Sequence, residues 1–492
     1  MSHEDILTAL MHYTEQELPG ILETHHIPGA SVLVVKDGEV IHQAAAGLRD
    51  IEGGLPADTK TLFAIGSTSK AFTAVMLGQL VDEGKLKWDD PVVKHIPEFR
   101  LSDPLTTMQV TVRDIQCHRT GLPRHDLAWF MSRFEREDLL RRMQYLAPFA
   151  PLRGAFCYNN LMWMAAGIII ERITGKPWEQ NLQERLFEPL GMKDANSSTD
   201  ATQAHSANYA LPYEKIDGKL VRVPFHQIDA VGPAGSINAH IEDYGKWLMM
   251  NLNGGKVDGR VLVSESSLAE IFTPQMAINP DNILVESIVR FKEFSPLVYT
   301  LGWVLQHYRG RRLLTHAGGI DGFTAFINVL PEEKTGVVVL SNLGGSNIPY
   351  AISWDLLDRA MGWETLPWTG RMAEYEAERD AKIKAGAEGL KAMQVQGTSP
   401  SHPLEAFAGT FTNGGYGDLQ IKVEDGKLAG MYNHIPVTLA HFHYDTFLMH
   451  LEMPSPQVTV PVRFEADITG AVRRVLIPWE ELTGEIDFVR SA

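Results

Sequence analysis

Cysteine is nearly absent from this sequence. The 492 residues include two, Cys117 and Cys157, which are too few for a disulfide framework and exclude a C-x-x-C metal or redox motif. Two reduced thiols are typical of a cytoplasmic protein, and this is the predicted location. A single bridge between the two cysteines is the alternative that the sequence leaves open.

Long apolar runs and excess positive charge are also lacking. The longest strictly apolar run is Leu161–Ile170, whereas a membrane-spanning helix needs about 20 residues. The first 20 residues carry acids and no apolar core of a signal peptide. Lys and Arg total 44 against 61 Asp and Glu, for a net charge of -17, while nucleic-acid binders usually present a basic face. Neither a membrane nor a nucleic acid is therefore an expected partner.

Strand patterns stand on either side of a long helical stretch. Ser31–Val35 and Val40–Ile41 flank Asp37-Gly38, a strong hairpin signal, and strand patterns return between about 299 and 345. Residues from about 85 to 285 read mostly as helices and loops. The pattern predicts an α/β (α+β) domain over 1–395, in which an antiparallel sheet from about 25–65 and 299–345 is flanked by helices and carries an inserted all-helical subdomain.

The pattern changes after a short polar segment. Residues 370–395 are charged and Ala-rich, as in a solvated helix, and residues 396–403 read as a linker because Thr398–Pro403 is rich in Ser and Pro. Short strand candidates separated by turns then follow to the end of the chain. Residues 404–492 are therefore predicted to form a separate small antiparallel β-barrel or sandwich.

The strongest candidate for chemistry is Ser67-Thr-Ser-Lys70. A helix is predicted from Ser67 to about Glu83, so the serine and the lysine lie one turn apart on one face. The backbone N–H of Ser67 belongs to the helix N-terminus, where negative charge is favoured. The pattern suits a nucleophilic serine with a neutral lysine as its base. An N-cap serine beside an exposed lysine is the alternative interpretation.

Two further motifs are weak when taken singly. Tyr158-Asn-Asn160 precedes an apolar helix, and His316-Ala-Gly-Gly319 ends a strand, where a glycine pair lets a ligand approach the backbone closely. The first is also explained by a helix cap with a packed aromatic ring. The second is also explained by a turn with a surface histidine.

Together, in this order and spacing, the three motifs resemble the serine β-lactamase and penicillin-binding-protein superfamily. The closest pattern is the class-C-like branch, which includes esterases and D-aminopeptidases, and the resemblance covers about residues 20–365. Supporting segments include Glu188–Met192 and Tyr299–Trp303. The C-terminal segment, with Tyr416-Gly-Asp-Leu419 near its start, resembles the lipocalin-like domain of some peptidase-like members.

The resemblance implies roles for five residues. Ser67 would form an acyl-enzyme, Lys70 and Tyr158 would share the role of base, and Tyr158 would protonate the leaving group. Asn160 would hydrogen-bond Lys70 and a substrate amide. The backbone N–H groups of Ser67 and Gly319 would form the oxyanion hole, and neither a metal nor a cofactor is required.

The third motif departs from the lactamase pattern in a way that bears on substrate. His316 and Gly318 would contact substrate, but lactamases have lysine at the histidine position and use it to bind a carboxylate. Histidine is mostly neutral at pH 7, so a permanent positive charge is missing there. Arg124 and His125 follow a Gly-Leu-Pro turn and are predicted to line the cleft, with a solvated loop as the alternative.

The sequence therefore predicts a serine hydrolase whose partner is a small-molecule substrate, either a carboxylic ester or a small amide or peptide. A D-amino-acid-specific peptidase or weak β-lactamase is the first alternative. A non-catalytic binding or scaffold protein on the same fold, assembled as a homo-oligomer, is the second.

Overall fold

The computed structural model describes residues 2–280, 282, 286–453 and 458–491. Two compact units divide the chain. The first comprises Met1–Pro97, Val110–His118 and Met162–Ala377, and the second comprises Glu98–Gln109, Arg119–Leu161 and Glu378–Ala492. Within the described ranges, no helix is both long enough and apolar enough to span a bilayer.

A nine-stranded antiparallel sheet forms the centre of the first unit. In spatial order its strands are Met276–Ala277, Val298–Tyr299, Val304–Tyr308, Arg311–Ile320, Phe323–Leu330, Thr335–Ser341, Gly29–Lys36, Glu39–Asp50 and Leu55–Pro56. The two central strands Phe323–Leu330 and Thr335–Ser341 are buried along their whole length. Burial on both faces explains why neither strand shows a regular alternation of apolar and polar residues.

The N-terminal hairpin confirms the turn signal. Asp37 and Gly38 both have positive φ, 54° and 82°, the backbone geometry of a tight turn that suits the twist of the flanking strands. In the strand region predicted from about 299, a turn separates Val298–Tyr299 from Val304–Tyr308, because the Thr300 N–H donates to the Trp303 carbonyl oxygen.

Helices pack around the sheet, and the one that carries Lys70 is internal. Ser69–Asp82 is buried from Ser69 to Leu80, which is the pattern of a helix enclosed on every side. The Phe72 ring stacks on Trp247 with their centroids 3.7 Å apart. The other helices wholly within the first unit are His3–His12, Leu18–Thr24, Val92–His95, Val112–Gln116, Trp178–Leu182, Glu188–Leu190, Thr199–His205, Gly232–Gly235, Ile241–Leu252, Glu265–Ile271, Glu286–Val289 and Ile348–Ala360.

The region predicted as an all-helical insertion also contains short strands. Tyr213–Ile216 pairs with Lys219–Arg222, and Lys256–Val257 pairs with Arg260–Val261. Strands of two to four residues are too short to show an alternating pattern in the sequence. Residues 281 and 283–285, at the end of the predicted insertion, lie outside the described residues.

A closed eight-stranded antiparallel barrel forms most of the second unit and confirms the predicted β-structure. Its strands are Gly409–Asn413, Gly417–Glu424, Lys427–Tyr432, Ile435–His443, Thr446–Leu451, Val458–Ala466, Val472–Glu480 and Gly484–Arg490. The first and last strands pair through Phe411 and Arg490, which removes both sheet edges. Alternation of buried and exposed residues along Gly417–Glu424 shows the inward and outward faces.

Helices and loops complete the second unit. Pro104–Gln109 and Arg136–Arg142 are its helices, while Asn160–Thr174 and Trp368–Ala392 each cross a boundary between the units. The Trp368–Ala392 helix includes most of the charged, Ala-rich segment for which a helix was predicted. Cys117 and Cys157 are both buried, and no disulfide joins them, which answers the question that the sequence left open.

Candidate functional site

Ser67 and Lys70 meet at the start of the internal helix of the first unit. Within residues 61–80, all of which the structure describes, Ser67 is the only one that is not buried. Lys70 is fully buried, and its Nζ lies 2.9 Å from Ser67 Oγ and 2.8 Å from the Ala234 carbonyl oxygen. Ser67 is therefore partly exposed, while the lysine reaches it from within the core.

Glycine lets the third motif lie directly against the Ser67 turn. A Cβ at Gly318 would be 1.9 Å from the Ile65 carbonyl oxygen and 3.3 Å from the Ser67 nitrogen. Gly66 has φ +52°, and a Cβ there would be 2.9 Å from the Gly319 nitrogen. Only residues without a side chain allow this approach, and it brings the Ser67 and Gly319 backbones side by side.

His316 is held as a neutral ring. Its Nδ1 donates to the Ala317 carbonyl oxygen at 2.6 Å, because a carbonyl can only accept. Its Nε2 then accepts the Tyr299 hydroxyl proton at 2.9 Å. Burial lowers the pKa of His316 to about 3. The ring therefore carries no charge near neutral pH, in agreement with the expectation from its unperturbed pKa.

Buried aromatic and imidazole rings pack next to His316. The Tyr299 ring lies 4.6 Å from the His118 ring, centroid to centroid, and Trp163 Nε1 donates to His118 Nε2 at 3.4 Å. No motif in the sequence indicated a role for His118, Tyr299 or Trp163. The available signal was that Tyr299 begins the segment Tyr299–Trp303, which matches the superfamily pattern, whereas its contact with His118 depends on the fold.

The second unit holds the other predicted site residues. The Arg124 guanidinium carbon lies 4.9 Å from the centroid of the Tyr158 ring. Arg124 Nε donates to Asp126 Oδ2 at 2.6 Å, and Asn160 Nδ2 donates to Asp126 Oδ1 at 3.2 Å. Asp126 thus connects Arg124 with Asn160 and becomes a further candidate residue.

His125, in contrast, is 2% exposed. Its Nε2 donates to the Ala147 carbonyl oxygen at 2.9 Å, and its Nδ1 lies 2.7 Å from the Tyr416 hydroxyl. Burial lowers the pKa of His125, which favours the neutral ring. Both ring nitrogens are therefore bonded inside the second unit.

One cluster among the described residues has the composition of a metal site. Ligand atoms of Asp194, His240 and Asp243 lie within 4.8 Å of one another. However, His240 Nδ1 accepts the backbone N–H of Asp243 as a helix cap, and Asp243 pairs with Lys246 at 2.7 Å. These contacts account for the cluster as the N-terminus of the helix Ile241–Leu252.

An antiparallel sheet whose glycine-rich strand lies against a buried Ser-x-x-Lys helix is the arrangement of the serine β-lactamase and penicillin-binding-protein class. The chain belongs to the Beta-lactamase family, which matches residues 5–360. This confirms the resemblance seen in the sequence. A second family, described as a domain of unknown function (DUF3471), matches residues 393–489.

Individual relatives cover different shares of the chain. Unguisins hydrolase ungD of Aspergillus violaceofuscus is 30% identical over 515 residues, which cover 96% of this chain and 88% of that protein. Protein flp of Staphylococcus aureus (strain MW2) is 27% identical over 335 residues, covering 67% and 62%.

Solved structures show the same fold. The octameric penicillin-binding protein homologue from Pyrococcus abyssi has a TM-score of 0.64 at 23% identity and covers 97% of this chain and 99% of its own. SurE has a TM-score of 0.57 at 17% identity and covers 99% of each chain.

Proposed function

We propose that this protein is a serine hydrolase that forms an acyl-enzyme on Ser67 with carboxylic esters or small amides and peptides. The observation that carries the proposal is the 2.9 Å distance between Lys70 Nζ and Ser67 Oγ, with the lysine buried and the serine partly exposed. Nucleophile and base within hydrogen-bond distance are the signature of covalent catalysis by a hydroxyl group.

In the acylation step the Ser67 hydroxyl proton moves to the Lys70 amine as Oγ forms a bond to the substrate carbonyl carbon. A lysine accepts a proton only as the neutral amine, and burial favours that form. The carbonyl oxygen becomes an oxyanion, and the Ser67 and Gly319 N–H groups are proposed to stabilise it. Support comes from the close approach of the two backbones, which Gly66 and Gly318 allow.

Collapse of the tetrahedral intermediate expels the alkoxide or amine of the substrate. We propose that Tyr158 protonates this leaving group, as the family resemblance implies, and that Asn160 binds the substrate amide. Water then attacks the acyl carbon and gives a proton to the Tyr158 oxygen, the bond to Ser67 Oγ breaks, and Lys70 returns its proton to the serine as the carboxylic acid is released. The Arg124 charge beside the Tyr158 ring supports this role, since a nearby cation stabilises an ionised phenol.

The substrate class follows from charge at the third motif. Because the His316 ring is neutral and both its nitrogens are bonded within the first unit, it supplies no charged clamp for a substrate carboxylate. Neutral esters and amides are therefore favoured over β-lactams. A relative whose similarity spans nearly the whole chain is named a hydrolase, which supports hydrolysis of either substrate class. A peptidase is therefore the second candidate, since an acyl-enzyme forms from amides as well as from esters.

The test is intact-protein mass spectrometry after incubation with a fluorophosphonate, on wild type and on Ser67→Ala. We expect one adduct per wild-type chain and none on Ser67→Ala, because the activated oxygen has been removed. A folded wild type without an adduct, or an adduct that persists in Ser67→Ala, would overturn the proposal. The first result would instead support a binding or scaffold protein.

A panel of nitrophenyl esters and of D- and L-aminoacyl anilides separates the two substrate classes. Hydrolysis of esters alone favours the esterase. Faster turnover of one anilide stereoisomer favours the peptidase. Ser67→Ala is the control for every substrate, because activated esters are also cleaved by weakly reactive groups.

A further inference from the structure

We propose that Glu480 and Tyr416 of the C-terminal barrel are positioning residues for the reaction, acting through the turn that carries Arg124 and Asp126. This inference rests on the proposed function. The inference extends that function by giving the barrel a role in catalysis, because the barrel holds in place the side chains that contact Tyr158 and Asn160. Every contact in the argument lies within the second unit.

Three barrel side chains bond to this turn. Glu480 Oε2 accepts the His125 backbone N–H at 2.9 Å, and the Tyr416 hydroxyl lies 2.7 Å from His125 Nδ1. The Tyr432 hydroxyl donates to the Leu127 carbonyl oxygen at 2.6 Å. All three barrel residues are buried, with 8%, 2% and 0% exposure. Water therefore competes little for these bonds.

The direction of the Tyr416 bond follows from the protonation of both partners. His125 Nε2 donates to the Ala147 carbonyl oxygen, so in the neutral ring Nδ1 is the acceptor. Burial raises the pKa of Tyr416, so the hydroxyl keeps its proton and donates it. The ring of His125 is thus fixed from two sides and cannot rotate without losing a buried hydrogen bond.

The backbone at His125 shows why such fixing is needed. Its φ of 46° is left-handed, a conformation that a residue with a side chain adopts at a cost in free energy and keeps only when its surroundings enforce it. The enforcing groups are the Glu480 carboxylate on the backbone N–H and the two partners of the ring. Without them we expect the turn to relax and its neighbours to move.

Both neighbours of His125 contact proposed site residues. On one side, Arg124 lies over the Tyr158 ring. On the other, Asp126 Oδ1 accepts from Asn160 Nδ2 at 3.2 Å and from Trp129 Nε1 at 3.0 Å, which turns the Asn160 amide so that its Nδ2 faces Asp126. A shift of the turn would therefore displace the cation beside Tyr158 and rotate the Asn160 amide together.

The test compares Glu480→Ala, Glu480→Gln and Tyr416→Phe in the full chain. For a substrate that wild type hydrolyses, we expect kcat to fall between about 10- and 100-fold in Glu480→Ala and Tyr416→Phe, the range that a misplacement of up to about 1 Å produces. KM should change much less. Glu480→Gln keeps an acceptor oxygen for the His125 N–H and should recover most of kcat.

Two exposed barrel residues provide matched controls. Glu481→Ala and Tyr444→Phe make the same chemical changes at positions on the barrel surface, and both should retain wild-type kcat. Thermal denaturation confirms that each variant is folded. If Glu480→Ala fails to fold, the kcat of Tyr416→Phe tests the inference, because this variant removes one hydroxyl and keeps the packed ring.

Wild-type kcat in folded Tyr416→Phe and Glu480→Ala would overturn the inference. A Glu480→Gln variant as slow as Glu480→Ala would also overturn it, because the carboxylate would then act by something other than accepting the His125 N–H. A different result would refute the proposed serine hydrolase itself: the wild type would then show neither a Ser67 adduct nor hydrolysis. That result would overturn both proposals.

Discussion

A single methyl group at Gly318 tests the approach of the third-motif strand to the nucleophile. In Gly318→Ala the new Cβ would lie 1.9 Å from the Ile65 carbonyl oxygen and 2.9 Å from its carbon. Real Cβ atoms are essentially never closer than 3.0 Å to another heavy atom. The strand and the Ser67 turn must therefore separate by about 1 Å. Both partners are backbone, so no side-chain rotation can relieve the overlap.

The separation has two expected consequences. Overpacking of this kind lowers the free energy of unfolding by about 1–3 kcal/mol. A displacement of about 1 Å between the Ser67 and Gly319 N–H groups should lower kcat by roughly 100-fold, since catalysis depends steeply on such distances. Urea denaturation followed by tryptophan fluorescence measures the first effect, and initial rates of ester hydrolysis measure the second.

The neighbouring glycine is the control. A Cβ at Gly319 would meet nothing within 4 Å, and the residue does not have positive φ. Gly319→Ala should therefore leave the free energy of unfolding unchanged or raise it by up to about 1 kcal/mol, because alanine lowers the entropy of the unfolded chain. Wild-type stability and kcat in Gly318→Ala would refute the reasoning.

Two further predictions concern ionisable groups. Burial raises the pKa of Asp355 to about 7, so its contribution to stability is present below pH 4 and is lost as the pH rises to about 7. In chemical denaturation, the free energy of unfolding of Asp355→Asn should therefore rise relative to that of wild type as the pH increases over that range, by up to about 4 kcal/mol at 1.36 kcal/mol per pH unit. A difference between the two proteins that stays constant with pH would contradict this prediction. Burial likewise raises the pKa of Cys157 to about 11, which leaves about one thiolate in a thousand at pH 8. Iodoacetamide should therefore label Cys157 in urea but not in the native protein, and rapid native labelling would contradict the prediction.

Local features of the sequence predicted much of the fold. Asp37-Gly38 determines its turn because both residues tolerate positive φ. The closed C-terminal barrel agrees with the short strand patterns separated by turns after residue 403. The Ser67–Lys70 pair was predictable because residues three apart in helical backbone share a face. The α-helix itself begins two residues later than predicted, at Ser69, after the 3-10 turn Gly66–Thr68.

Contacts between residues far apart in the sequence could not be predicted. His125 and Glu480 are 355 positions apart, and no local pattern indicates that one accepts a hydrogen bond from the other. The sequence interpretation placed His125 in a cleft or a solvated loop, whereas its ring is buried. Its conformation depends on hydrogen bonds from elements that meet only in the folded chain.

The sequence by itself determined the family, the order of its motifs and the chemistry of the groups they carry. Residue identity, helical spacing and the conformational freedom of glycine are local properties, and they do not depend on the tertiary structure around them. Only the tertiary structure decided that Tyr299 donates to His316, that Gly318 lies against Ile65 and that Asp126 joins Arg124 to Asn160. Each of these depends on burial and on distances of about 3 Å between segments brought together by packing.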